Sequence, residues 1–190
     1  MFRPNIPGWL TEIEAITLYS LAYAYNQETA IAIEIGSLHG LSSAIIARAI
    51  SKGSLYCIDE WAGGYACSEE FKYDNGKDLD LPKLGLPNHK EIFLSYTKDF
   101  DNISIIQGIS PGCVSTWSKP VDFIFLDATH TNPNDWDNIE FWLPKIKSGG
   151  RIIGHDYHPR WPDVQENVRH LTDKLRQRPI IVGTLWSFKL

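Results

Sequence analysis

The feature that most constrains this sequence is a sustained alternation of helix-period and strand-like segments from Thr11 to Leu190. Each element has an apolar face that must be buried, and strands alternating with helices do this as a mostly parallel sheet covered on both sides. Residues 11–27 carry apolar side chains at Ile13, Ile16, Leu18, Leu21, Ala22 and Tyr25, and Thr11 with Glu14 fits a capping box, so a leading helix is expected. Residues 30–35 read as a buried strand, 41–51 as a helix and 55–58 as a second strand entered through Lys52-Gly53, which makes one βαβ unit. The pattern continues with a helix over 88–100, strands over 103–107 and 121–126, a helix over 134–144, a strand over 151–154 and a helix over 162–178. Residues 179–190 are apolar around Gly183-Thr184, a hairpin-like ending with an antiparallel last strand. The fold expected is therefore α/β, doubly wound and Rossmann-like.

A chain of 190 residues with 43% apolar content can bury one substantial core, so residues 1–190 are read as a single domain whose first 28 residues hold the leading helix. The formal charge of −5 gives no basic footprint for nucleic acid, and no apolar run is long enough for a membrane span. The opening Met1-Phe2-Arg3-Pro4-Asn5 lacks the features of a secretory signal, so a cytoplasmic location is expected. Cys57, Cys67 and Cys113 show no zinc-like spacing, and Cys57 lies in an apolar run where packing explains it. Residues 62–87, rich in Gly, Asp, Lys and Tyr without a period, are long for a plain connection and read as a candidate lid.

Ligands of open α/β sheets sit beyond the carboxyl ends of the strands, where glycines let a ligand approach the backbone and helix N-termini offer free N–H groups. Gly36 and Gly40 occupy that crest in Glu34-Ile35-Gly36-Ser37-Leu38-His39-Gly40, with a G-x-x-x-G spacing that suits a dinucleotide pyrophosphate poorly. Asp59 ends the second strand, where a carboxylate can accept from both hydroxyls of a ribose, and Glu34 could hold an ammonium group; together these describe an adenosyl amino acid. Taken singly, each residue has a plainer reading as turn former, loop cap or local pair.

Asp127 closes the run Phe123-Ile124-Phe125-Leu126, with His130 three residues on, and His155-Asp156 end the next strand in the same way. Two adjacent strands thus deliver two carboxylates and two imidazoles to one region, a set suited to positioning and deprotonating a nucleophile. Asp127 and Asp156 could hold magnesium, with His130 as base. The plainer readings are a helix-start contact for His130 and a packed ring for His155. His39, His89 and His170 are expected at the surface, His158 near the site, Trp142 in the core and Trp161 over substrate.

The stretches E-I-G-S-x-x-G-x-S, I-D-E-W, F-L-D-A-T-H and P-K-I-K-S-G-G-R-I-I-G-H-D-Y resemble the class I S-adenosylmethionine-dependent methyltransferases. The resemblance runs from about residue 30 to the end and is strongest to the small bacterial group, methyltransferase family 24-like, in which a D-x-x-H turn precedes a helix ending W-L-P-x-I-x-x-G-G and then H-D. It implies a seven-stranded sheet of order 3-2-1-4-5-7-6 with the seventh strand antiparallel. It also implies that Glu34, Gly36, Ser37 and Gly40 line the methionine half of S-adenosylmethionine, Asp59 the ribose and Trp61 the adenine edge. Gly108-Ile109-Ser110 stands where such enzymes have an acid in the middle, which leaves Ser110 as a candidate contact, although Ser110-Pro111 also reads as a helix cap.

In the metal-dependent O-methyltransferases that it resembles, Asp127 and Asp156 fall on ligand positions and His130 on the base. His155 takes the place of an acidic ligand, a nitrogen that suits manganese, iron or zinc better than magnesium. The expected activity is transfer of a methyl group to a hydroxyl of a small, sugar-like or diol-like molecule, with divalent-metal assistance. Its rivals are a metal-independent N- or O-methyltransferase, a nucleotide-linked oxidoreductase and a ligand-binding module without turnover. A homodimer is compatible with the sequence.

Overall fold

The computed structural model describes residues 2–62 and 88–190, so the lid expected over 62–87 and Cys67 lie, from residue 63 on, outside the described residues. Seven strands form one sheet: β1 (Ile31–Ile35), β2 (Ser54–Asp59), β3 (Ile103–Gln107), β4 (Val121–Leu126), β5 (Ile146–Gly154), β6 (Ile180–Val182) and β7 (Leu185–Lys189). Their order is β3-β2-β1-β4-β5-β7-β6, with β7 antiparallel to both neighbours and the other pairings parallel. The helices are α1 (Glu12–Tyr23), α2 (Leu41–Ala49), α3 (His89–Thr97), α4 (Asn134–Trp142) and α5 (Pro162–Leu175).

Alternate side chains of the central strands serve two cores. Ala32, Phe123 and Phe125 pack with Leu18 and Ala22 of α1, Ile45 and Ile46 of α2 and Phe93 of α3. Ile33, Ile35, Ile124 and Ile152 pack with Trp142 of α4 and Val164, Val168 and Leu171 of α5. This double burial is why β1 and β4 are near-continuous apolar runs. The one acid within β4, Asp122, is buried yet paired: it accepts from the Ile31 amide at 2.7 Å and from Lys147 Nζ at 2.8 Å.

Element boundaries differ from the sequence reading where backbone detail decides them. The leading helix starts after its Thr11 cap, as its capping box implies, but buries Glu14, Ala15, Leu18 and Ala22, leaving Ile13 and Ile16 exposed. β5 begins at Ile146, five residues before the expected start, because its pairing with β4 jumps from Val121↔Ile146 to Phe123↔Arg151. Gly150 lets that irregularity close against β4, since a Cβ there would lie 2.5 Å from the Asp122 carbonyl oxygen. α5 ends at Leu175 because Arg176 turns left-handed at φ 51°. No helix among the described residues is long and apolar enough to cross a membrane.

Candidate functional site

The sheet reverses its winding between β1 and β4, and a cavity of about 620 Å3 opens beyond the carboxyl ends of the strands at that point. At its floor β1 is sewn to both neighbours: the Gly36 amide donates to the Ile58 carbonyl and the Asp127 amide to the Ile35 carbonyl, each at 2.9 Å. Gly36 has φ +89°, and a Cβ there would lie 1.9 Å from the carbonyl oxygen of Asp127, so both the turn and the close approach require glycine. Asp59 grips the same loop, its Oδ2 accepting from the Leu38 amide at 2.8 Å and its Oδ1 from the Trp61 amide at 2.7 Å. Trp61 closes the ring by donating its Nε1–H to the Leu38 carbonyl at 2.8 Å.

Of the residues expected to meet a cofactor, Gly36, Ser37, Asp59, Trp61 and Ser110 line this cavity. Gly40 and Glu34 do not. Gly40 sits behind the loop, where a Cβ would come within 2.8 Å of Thr97 Cγ2, so it serves the approach of α3 to α2. Glu34 is fully buried; its Oε2 accepts from Ser37 Oγ at 2.7 Å and from Ser43 Oγ, and burial pushes its carboxyl up against those hydrogen bonds. It stiffens the loop from below rather than facing a ligand. Ser110 is no helix cap: the short turn at Gly112–Val114 is preceded by Pro111 and has no side-chain cap bond. The Ser110 carbonyl instead accepts from Asn134 Nδ2 at 3.1 Å and Asn138 Nδ2 at 3.2 Å, which anchors α4 to the cavity wall.

Two histidines expected at the surface belong to the cavity wall. His39 is 1% exposed, and its Nε2 lies 2.7 Å from Nδ1 of His89 at the start of α3. Burial, with His89 beside it, holds the His39 imidazole down at about 4. The signal available in the sequence was position alone: His39 sits inside the glycine turn, whose residues Ser37, Leu38 and His39 line the cavity.

At the other end of the cavity, β4 and β5 present the four expected groups side by side. His130 Nε2 is 3.1 Å from Asp156 Oδ2 and 3.9 Å from Asp127 Oδ1. One ligand atom from each of Asp127, His130 and Asp156 lies within 4.8 Å of the others, so these three could share a metal ion. His130 and Asp156 both take left-handed backbone, at φ 58° and 60°, a cost on the order of 1–2 kcal/mol each that turns them toward one another.

His155 stands behind this trio, 5% exposed, its Nδ1 3.4 Å from Asp127 Oδ1 and 3.6 Å from Asp156 Oδ2. Its Nε2 faces Glu14 Oε1 of α1 at 3.6 Å. Burial opposes charge on His155, but the carboxylates around it outweigh burial and raise its pKa well above the ordinary value. Asp156 is held low, against burial, by the electrostatic influence of the His155 and His130 imidazoles beside it. The Trp161 ring lies 4.9 Å from that of His130, and Trp161 and Trp9 both line the cavity. The cavity therefore joins a glycine-turn end, lined by the Asp59 carboxylate, to an end whose carboxylates and imidazoles could hold a cation or move a proton.

Residues 33–157 match a family model described as a methyltransferase domain. Among solved structures, the chain is similar to an O-methyltransferase from Bacillus cereus in complex with SAH, at TM-score 0.65 and 18% identity, over 95% of this chain and 82% of that one. It is similar at TM-score 0.62 and 17% identity to the O-methyltransferase TomG from Streptomyces achromogenes in complex with SAM, over 95% and 81%. An rRNA methylase from Streptococcus thermophilus aligns at TM-score 0.63 and 12% identity, over 96% and 98%. At these identities the structural likenesses show the shared fold.

Proposed function

Because the chain belongs to the methyltransferase domain family, we propose that it transfers the methyl group of S-adenosylmethionine to a hydroxyl of a small molecule, sugar-like or diol-like, with a divalent metal at the carboxyl ends of β4 and β5. The observation that carries this reading is the convergence of Asp127, His130 and Asp156 on one point of the cavity that Gly36, Ser37 and Asp59 also line. Asp59 keeps acceptor capacity on both carboxylate oxygens beyond the two amides that it binds, which suits a pair of ribose hydroxyls. Trp61, braced by its bond to Leu38, offers an edge for the adenine, and Ser37 lies where the methionine end would reach.

The donor set fits a divalent ion: two carboxylates and one imidazole, with ligand atoms close enough to share it and cavity space for waters and two acceptor hydroxyls. Such an ion, when bound, acidifies the acceptor hydroxyl. In this reading Asp127, Asp156 and His130 are the ligands, and His155, which the sequence placed among them, supports the two aspartates from behind. The protein's own groups orient the acceptor oxygen toward the methyl carbon, with Trp9 and Trp161 supplying apolar surface to the cavity lining.

A second reading rests on one distance. With Asp156 Oδ2 3.1 Å from its Nε2, His130 is oriented as a general base that needs no metal. The test is formation of S-adenosylhomocysteine from S-adenosylmethionine with a panel of diols, before and after chelation and after adding back Mg2+ or Mn2+. Activity that chelation abolishes and metal restores supports the first reading, whereas activity indifferent to chelation and lost in His130→Ala supports the second. No turnover with hydroxyl acceptors but turnover with amines would overturn both.

A further inference from the structure

We propose that Glu14, on the leading helix, is a positioning residue for the Asp127–Asp156 pair and acts on it through His155; this rests on the metal-assisted reading of the site. The capping box explains only half of this side chain. Oε2 accepts from the Thr11 amide at 2.9 Å and Thr11 Oγ1 at 2.8 Å, as a residue three positions after a cap should. Such glutamates need no burial, yet Glu14 is 2% exposed, and an ionised carboxylate removed from water is costly unless fully partnered.

The other oxygen shows what the burial serves. Oε1 accepts from the Thr184 amide at 2.6 Å and Thr184 Oγ1 at 2.9 Å, and stands 3.6 Å from His155 Nε2. The β6–β7 turn is shaped around it: Gly183 has φ +61°, and a Cβ there would lie 2.5 Å from Oε1. The His155 backbone is held as well, its carbonyl accepting from Trp186 Nε1 at 3.2 Å. With Nε2 of the imidazole facing Glu14, Nδ1 faces Asp127 Oδ1 at 3.4 Å and Asp156 Oδ2 at 3.6 Å. A chain of carboxylate, imidazole and paired carboxylates thus runs from α1 to the ends of β4 and β5.

Partners behind metal ligands orient them, and their loss commonly weakens metal binding about 10- to 100-fold. The experiment is Mn2+ binding to the whole protein, followed by electron paramagnetic resonance of the free ion, with S-adenosylhomocysteine affinity measured in parallel. Glu14→Gln should weaken Mn2+ at least about tenfold and leave S-adenosylhomocysteine binding within about twofold. Ala22→Gly, which loosens the same helix two turns away from Glu14, should leave Mn2+ affinity unchanged. Wild-type Mn2+ affinity in Glu14→Gln, or equal weakening in both variants, overturns the proposal. If Glu14→Gln does not fold, Glu14→Asp, which withdraws the charge from His155, reads the same quantity: weakened Mn2+ binding supports the proposal and wild-type affinity overturns it. No Mn2+ uptake by the wild-type protein would overturn the metal-assisted reading, and this inference with it.

Discussion

Replacing Asp59 by Asn tests the cofactor end of the cavity with a change of one atom. The carboxylate has about four acceptor sites, and the amides of Leu38 and Trp61 occupy one on each oxygen, at 2.8 and 2.7 Å. Asparagine keeps one oxygen and turns the other into a donor, which then meets a backbone N–H. One charge-assisted bond to the loop is lost, worth about 1.5–3 kcal/mol. In a chain of this length that lowers the unfolding midpoint by roughly 4–8 °C for a loss near ~2 kcal/mol. On the ligand side, one of two ribose-hydroxyl acceptors disappears, and a loss of about 1.5–3 kcal/mol corresponds to roughly 10- to 150-fold in affinity. Calorimetric titration with S-adenosylhomocysteine and a thermal melt separate the two effects. A variant whose midpoint drops while its S-adenosylhomocysteine affinity stays within threefold of wild type would show that Asp59 only clamps the loop, and the ribose assignment would be wrong.

Two further outcomes concern stability. The buried His39 is held at about 4, below its ordinary value, so the folded state keeps it neutral while the unfolded chain protonates it on acidification. Its contribution is complete above the unfolded pKa near ~6.5 and declines as pH falls toward ~4, by up to about 1.4 kcal/mol per pH unit. Denaturant unfolding between those pH values should therefore show a shallower pH dependence in His39→Gln than in wild type, and equal slopes would refute the assignment. Lys147→Met leaves Asp122 with the Ile31 amide as its remaining hydrogen-bond donor, so a loss of about 1–3 kcal/mol is expected with S-adenosylhomocysteine binding intact. An unchanged melt would place the pair among exposed ion pairs of negligible worth.

What the sequence revealed was periodicity and strand ends. The succession of elements along the chain, the hairpin at Gly183-Thr184 and the placement of Asp59, Asp127, His130 and Asp156 at one crest follow from knowing where buried runs stop, whereas the strand order in the sheet followed from the family resemblance. What it concealed was direction within a turn. Glu34 and Asp59 both follow apolar runs, yet Glu34 lies one residue before the strand's last residue and points into the core, whereas Asp59 is the last residue of its strand and reaches the loop. Gly36 and Gly40 read alike, but one is bound by a carbonyl of β4's turn and the other by a threonine of α3. Nor could a capping box announce that its glutamate would be buried against a histidine 141 positions away in the chain, from Glu14 to His155, because that contact exists only once α1 lies on the sheet.

The missing side chain at Gly36 has a consequence for anyone who would redesign this protein. With the carbonyl of Asp127 occupying the space of a Cβ, the glycine turn after β1 and the turn after β4 are interlocked pieces of backbone. Neither can be exchanged with a relative's loop in isolation, because a different path after β4 would collide with the first turn or leave it unsupported. New acceptor preference is better sought in parts that touch the cavity without sharing that interlock, the segment around Trp9 and the stretch from His158 to Trp161, where side chains can be swapped while the frame stays whole.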